Sequence, residues 1–114
     1  MVFRAYNEGV ALRYVIPEQR CFDGFELAQD LTEWRFAGDP ECYLTEYDSA
    51  VNPNEMEYRR KRLGEVLPEK FIGFPAIVRA CSGTTLAITE AALVNWAGMY
   101  LKHKTTSPVG EALS

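Results

Sequence analysis

The residues able to do chemistry are few, and they do not stand at catalytic spacing. One histidine, His103, and three cysteines, Cys21, Cys42 and Cys81, are spread over 114 residues. A serine or cysteine nucleophile needs a base within hydrogen-bond reach, most often histidine. No elbow motif surrounds any serine or cysteine here, and His103 reads as an exposed strand residue. Zinc takes three or four ligands at short, characteristic spacings, which these four residues lack. Gly9, Gly24, Gly38 and Gly64 stand singly at turns and form no phosphate-binding loop. Three widely spaced cysteines are not a disulfide framework. They read as buried free thiols, Cys81 in an apolar strand pattern, with one bridge plus a free thiol left open. Glycoside hydrolysis uses two carboxylates in a fixed geometry; 16 acidic residues offer no way to choose a pair. Trp34, Trp96, Tyr43 and Tyr47 are the types that stack on sugar rings, and equally the types that fill small β cores. The sequence therefore names no catalytic residue.

Composition bounds the rest. At this length one domain is the default, and a (β/α)8 barrel, which needs roughly 250 residues, is excluded. Hydrophobic content of 47% and charged content of 25% suit a globular domain. The net charge is −4, which speaks against a nucleic-acid binder. The dense basic run Arg59-Arg60-Lys61-Arg62 is flanked by Glu55, Glu57 and Glu65 and reads as a solvated face. No run of about 18 apolar residues is present for a membrane helix, and no signal peptide is expected in the chain.

The elements that would position these residues are mostly strands. Period-two alternation runs through Val2–Tyr6 and again through Val10–Ile16. Asn7-Glu8-Gly9 between them suits a three-residue hairpin loop with Gly9 at positive φ, and Pro17 closes the second strand. Glu33–Phe36 reads as a short strand with Trp34 and Phe36 on one face, and Ala37-Gly38-Asp39-Pro40 as a turn. Tyr43–Tyr47 is β-prone. A short helix or an irregular excursion is expected over Glu55–Leu63, with Asn54 as its cap, Glu55–Arg59 and Glu57–Lys61 as supporting pairs and Gly64 as its end. Phe74–Cys81 and Thr84–Thr89 form a second hairpin around Ser82-Gly83. Residues 90–97 favour helix by propensity, whereas the alternation from Met99 to Lys104 favours a strand. Residues 105–114, with Pro108 and Gly110, read as a flexible tail or the start of a linker. Short strands separated by turns imply an all-β, mainly antiparallel sandwich with at most one short helix.

Two segments carry a family resemblance. The run Phe3–Tyr14, FRAYNEGVALRY, is similar to the signature FRAYNDGVAYRY of the N-terminal domain of glycoside hydrolase family 97. Ile88-Thr89-Glu90-Ala91-Ala92-Leu93 followed by Trp96-Ala97-Gly98-Met99-Tyr100-Leu101 resembles that family's ITEAxL and YxGMxL, with Trp in place of Tyr. Phe25, Trp34, Glu46 and Tyr47 match it in part. The resemblance covers roughly residues 2–104 and is weak between 48 and 70.

It implies that residues 1–104 belong to an N-terminal super-β-sandwich, galactose-mutarotase-like, of a bacterial α-glucosidase or α-galactosidase. Such enzymes join that domain to a catalytic (β/α)8 barrel and a small C-terminal β domain. The catalytic carboxylates belong to the barrel, so this chain alone is expected to be inactive. The family's calcium site takes one glutamate from the N-terminal domain, and Glu90 is the candidate. The implied partners are the barrel and an α-linked oligosaccharide substrate; Trp96, by its type an aromatic able to stack on a sugar ring, is the candidate contact. The resemblance also implies a periplasmic or secreted parent and self-association through surface that the barrel would cover. The rival expectation is a free-standing β-sandwich that binds carbohydrate or protein.

Overall fold

The computed structural model describes residues 1–21, 24–94, 96–106 and 110–114. The chain divides into two compact units, Met1–Asp30 and Leu31–Ser114.

The first unit is built on the predicted hairpin. β1 (Val2–Tyr6) pairs antiparallel with β2 (Gly9–Arg13), from Val2 opposite Arg13 to Tyr6 opposite Gly9. Because Tyr6 faces Gly9 directly, the loop is two residues, Asn7-Glu8, rather than three. Gly9 is not in the left-handed region and continues the strand. The strand ends at Arg13, four residues before Pro17. The side chains of both strands are exposed on both faces.

The second unit holds the remaining strands. In chain order these are β3 (Trp34–Ala37), β4 (Glu41–Leu44), β5 (Glu46–Tyr47), β6 (Arg59–Arg62), β7 (Phe71–Ile72), β8 (Ala76–Arg79), β9 (Thr85–Ile88), β10 (His103–Thr106) and β11 (Gly110–Leu113). They form a four-stranded sheet β6-β4-β8-β9, a three-stranded sheet β10-β11-β3, and the pair β5-β7. Every pairing is antiparallel. One turn of 3-10 helix, Leu63–Glu65, is the helical content of the described residues. The all-β expectation holds.

Alternation builds the core. Cys42 and Leu44 of β4, Ala76 and Val78 of β8 and Ile88 of β9 point inward, and Leu63, Val66, Ile72, Leu101 and Leu113 meet them. Trp34, Phe36, Phe74 and Leu86 pack against this cluster, half-buried. The Ser82-Gly83 turn between β8 and β9 places Gly83 at φ 91°, a region costly for any residue with a Cβ.

Two expectations are overturned. No helix forms over 55–62: residues 55–58 are irregular, as the alternative allowed, and Arg59–Arg62 is an edge strand. Asn54 has φ 56°, which is not the extended backbone a helix N-cap adopts. Met56 and Tyr58 are exposed, so the helix would have had no apolar face to bury. As a strand, the same run puts Lys61 opposite Cys42 and within 2.5 Å of Glu46, and lets Arg60 reach Glu41. An edge strand of four cations is also a poor template for pairing with another copy.

The expected tail at 105–114 is the second correction. Gly110–Leu113 is the middle strand of the three-stranded sheet, and Ala112 and Leu113 are fully buried. The turn residues Pro108 and Gly110 suggested an end, but the apolar pair behind them is drawn into the core. Residues 107–109 lie outside the described residues.

Candidate functional site

Glu90 stands two residues beyond β9, half-buried. Its Oε1 accepts the Met99 N–H at 3.0 Å. That bond joins the two ends of a loop, described over 91–94 and 96–98, which is neither helix nor strand. The helix propensity of Ala91, Ala92 and Leu93 is not expressed, because these side chains are exposed and no packed face rewards a helix. Trp96 lies in the same loop and is 43% exposed. Asn95 lies outside the described residues.

Beyond Met99 the chain is anchored firmly. Ile72 and Leu101 exchange backbone hydrogen bonds of 2.8 and 3.0 Å. The Tyr100 hydroxyl donates to Asn54 Oδ1 and accepts from Asn52 Nδ2, both at 3.0 Å. Asn52 also donates to the Ser49 carbonyl and accepts the Asn54 N–H. The Tyr100 ring stands edge-on to Tyr47 and Phe71, with centroids 6.0 and 5.9 Å away. Lys102 Nζ sits 4.3 Å from the centre of the Phe71 ring. These polar groups satisfy one another, so the cluster straps the 49–54 loop to the sheet. The sequence signal for it was faint: Asn52-Pro53-Asn54 marks a loop without indicating its partner.

His103 is not the exposed strand residue expected. It is 5% exposed, with Nδ1 2.7 Å from the Val66 carbonyl and Nε2 2.8 Å from Glu111 Oε2. The signal was present in the alternation, since period two puts His103 on the same face as the buried Leu101. Among the described residues its two ring nitrogens are taken up by Val66 and Glu111, which ties three segments of the fold together.

The remaining candidates sort by burial. Trp34 packs on the core, Tyr47 is buried, and Tyr43 and Trp96 reach solvent. All three cysteines are free. Cys42 is buried, its thiol pushed up to about 12 by desolvation and the nearby Asp39 and Glu41 carboxylates, so it is inert. Cys21 and Cys81 are exposed, against the expectation of burial. Arg60 beside Glu41, helped by Arg79 and Arg62, holds that carboxyl below its ordinary range. The expected solvated face at Arg59–Arg62 is largely exposed, and two of its cations, Arg60 and Lys61, form ion pairs with Glu41 of β4 and Glu46 of β5.

Calcium takes six to eight oxygen ligands. Among the described residues no three His, Cys, Asp or Glu side chains come together as a metal site. Glu90 can offer one carboxylate, with Oε1 already engaged by Met99. A single such ligand fits a shared site and cannot make one. No helix among the described residues is long and apolar enough to cross a membrane.

The strands, the turns and the site together define an antiparallel β module whose described residues assemble no nucleophile with a base. Residues 1–113 match the family described as glycosyl-hydrolase 97 N-terminal. The chain belongs to that family of glycoside hydrolase domains. It is also 28% identical over 108 residues to a retaining alpha-galactosidase of Bacteroides thetaiotaomicron, covering 87% of this chain and 16% of that protein. The chain therefore spans about a sixth of the curated relative it matches. No solved structure matches it.

Proposed function

We propose that this chain is a non-catalytic accessory domain of an α-glucosidase or α-galactosidase, packing against a (β/α)8 catalytic domain. The match of residues 1–113 to an N-terminal family carries the reading, and the retaining alpha-galactosidase relative supports the galactosidase side. The domain's work is to shape the rim of the active site and to hold one carboxylate, Glu90, toward a calcium ion shared with the catalytic domain. The Glu90–Met99 bond supports this second role, because it fixes the carboxylate and leaves Oε2 without a hydrogen bond among the described residues. Carboxylates on the catalytic domain perform the hydrolysis.

The test is to express the full gene with and without the codons for residues 1–113. Hydrolysis of an aryl α-galactoside or α-glucoside should require both parts, and the 114-residue chain alone should release no aryl alcohol. Full activity after the deletion would refute the accessory role. Glu90→Gln keeps an oxygen for Met99 and removes the charge. It should raise the calcium concentration needed for half-maximal activity; an unchanged calcium requirement excludes Glu90 as a ligand.

A second reading rests on the exposure of Trp96, which suits contact with a sugar ring. Maltooligosaccharides or galactosides should then perturb tryptophan emission in the isolated chain and fail to do so in Trp96→Ala. No change with the unsubstituted chain rejects that reading.

A further inference from the structure

The four-stranded sheet turns one face to the core and the other outward. Cys42, Leu44, Ala76 and Val78 point inward, so the residues between them point outward. Directly opposed residues share a face. The register therefore sets two outward rows across β6, β4 and β8: Arg62–Glu41–Arg79, and beside it Arg60–Tyr43–Ile77. All three arginines are exposed, Tyr43 is 37% exposed and Ile77 is half-buried. Three guanidiniums thus surround one carboxylate, in a chain whose net charge is −4. They are not used up on it. Arg60 bonds Glu41 through Oε2, while Glu41 Oε1 is buried with no hydrogen-bond partner among the described residues. Arg62 donates Nη1 to the Asp39 carbonyl. The Arg79 guanidinium forms no hydrogen bond or ion pair among the described residues.

We propose that this outward face receives an acidic surface of the catalytic domain, whose carboxylates meet Arg62 and Arg79 while Tyr43 and Ile77 pack beside them. The inference rests on the proposed accessory role and adds which face of the domain is covered and by what chemistry. Arginine and tyrosine are the residue types that anchor protein interfaces. A guanidinium fork holds a carboxylate through two parallel hydrogen bonds. The spare donors of Arg62 and Arg79 need acceptors, and a carboxylate is the acceptor that also offsets the surplus positive charge. A second copy does not meet that need. It presents the same three cations to one carboxylate, so the stacked faces would carry an excess of like charge. The catalytic domain is the source because the chain covers 16% of the relative it matches, which leaves most of such a protein outside it.

Zero-length cross-linking of the full-length protein tests this. Arg62→Lys and Arg79→Lys keep the charge and introduce an amine that a carbodiimide joins to a touching carboxylate. Peptide mapping should find each introduced lysine joined to an aspartate or glutamate of the catalytic domain. Lysines joined only to Glu41, to another carboxylate of residues 1–114 or to a second copy overturn the inference, and so does the absence of any cross-link. Arg62→Glu combined with Arg79→Glu should raise hydroxyl-radical labelling of Tyr43 in the full-length protein. Arg59→Glu, on the same strand but paired with the inward Leu44, should not. Unchanged Tyr43 labelling in the double variant also overturns the inference. Near-ultraviolet circular dichroism reports whether each variant is folded, and the charge-preserving lysine variants decide the question if the double reversal unfolds. Failure of the accessory role is read separately, as full activity after deletion of residues 1–113. Failure of the docking face leaves the domain required for activity and the lysines unjoined.

Discussion

His103 Nε2 lies 2.8 Å from Glu111 Oε2, diagonally across the β10–β11 ladder. On its other side Nδ1 meets the Val66 carbonyl, which can only accept and so requires a proton on Nδ1. One further proton then lies between Nε2 and Oε2, whichever group carries it. The ring thus joins both strands to the turn after Leu63–Glu65. His103→Ala would leave a buried carbonyl and a half-buried carboxylate without their partner. Each such loss costs about 1–3 kcal/mol, so a total of about 2–6 kcal/mol is expected in urea unfolding. Val51→Ser, at a side chain 90% exposed, should change stability by less than about 0.5 kcal/mol. Equal midpoints for the two variants would show that the His103 bridge contributes nothing.

Gly73 packs its backbone against Thr45, which lies between β4 and β5, and against Tyr47 of β5. Its N–H reaches the Thr45 carbonyl at 3.1 Å. A Cβ there would lie 2.7 Å from Thr45 Oγ1 and 2.8 Å from Tyr47 Cε2. Both side chains are buried, so neither can swing away. Gly73→Ala should cost about 1–3 kcal/mol, the usual effect of overpacking. Gly98→Ala meets nothing within 4 Å and should be within about 0.5 kcal/mol of neutral. Thermal melts of the two variants give the comparison directly.

Acid should weaken the fold through Glu33. Its carboxylate is shared by Lys104 of β10 and Arg35 of β3. Those two cations flank Ala112 in one row across the sheet. Lys104 first, and Arg35 second, hold the Glu33 carboxyl below its ordinary 4.5; Arg60 does the same for Glu41. A carboxyl lowered in the folded state stabilises fully above its unfolded value and loses that contribution as pH falls through the folded one. Urea midpoints should therefore hold near neutral pH and fall as the solution is acidified below 4.5. Glu33→Gln should flatten that fall, and added salt should shrink it, because the cations are exposed. An acid limb identical in Glu33→Gln would remove Glu33 from the explanation.

Legibility in the sequence followed local signals. Both hairpins were readable because period-two alternation and a turn sit within one short window, as in Ala76–Arg79, Ser82-Gly83 and Thr85–Ile88. The loop of the first was misjudged by one residue, because Tyr6 pairs with Gly9 across two residues and no local rule separates that from three. Arg59–Arg62 was unreadable as a strand, since its stabilisation comes from Cys42, Glu41 and Glu46, at least 13 positions away. Glu90 was found by resemblance to a motif and Trp96 by its type, and the structure adds the Glu90–Met99 bond that local pattern could not supply. His103 was misassigned although its spacing from Leu101 already placed it inward. Buried histidine needs acceptors, and Val66 and Glu111 are visible only once the strands are paired.

The C-terminal strand gives the sharpest contrast between a tail and a structural element. β11 pairs with β10 on one side and β3 on the other, and among the described strands neither neighbour has another partner. Ser114 and Lys102 exchange two further backbone hydrogen bonds, of 2.6 and 3.0 Å. Leu113 is fully buried in the cluster with Leu44, Leu63 and Leu101. Removing residues 110–114 strips Trp34 and Phe36 of their ladder and His103 of Glu111, and it opens the core at Leu113. The shortened chain should lose its near-ultraviolet circular dichroism and become protease-sensitive through the Leu31–Ser114 unit. Leu113→Ala, which keeps the ladder and removes only side-chain packing, should cost about 2–5 kcal/mol. Together the two variants separate backbone pairing from core filling. If both unfold at the same urea concentration as the intact chain, residues 110–114 are a tail after all.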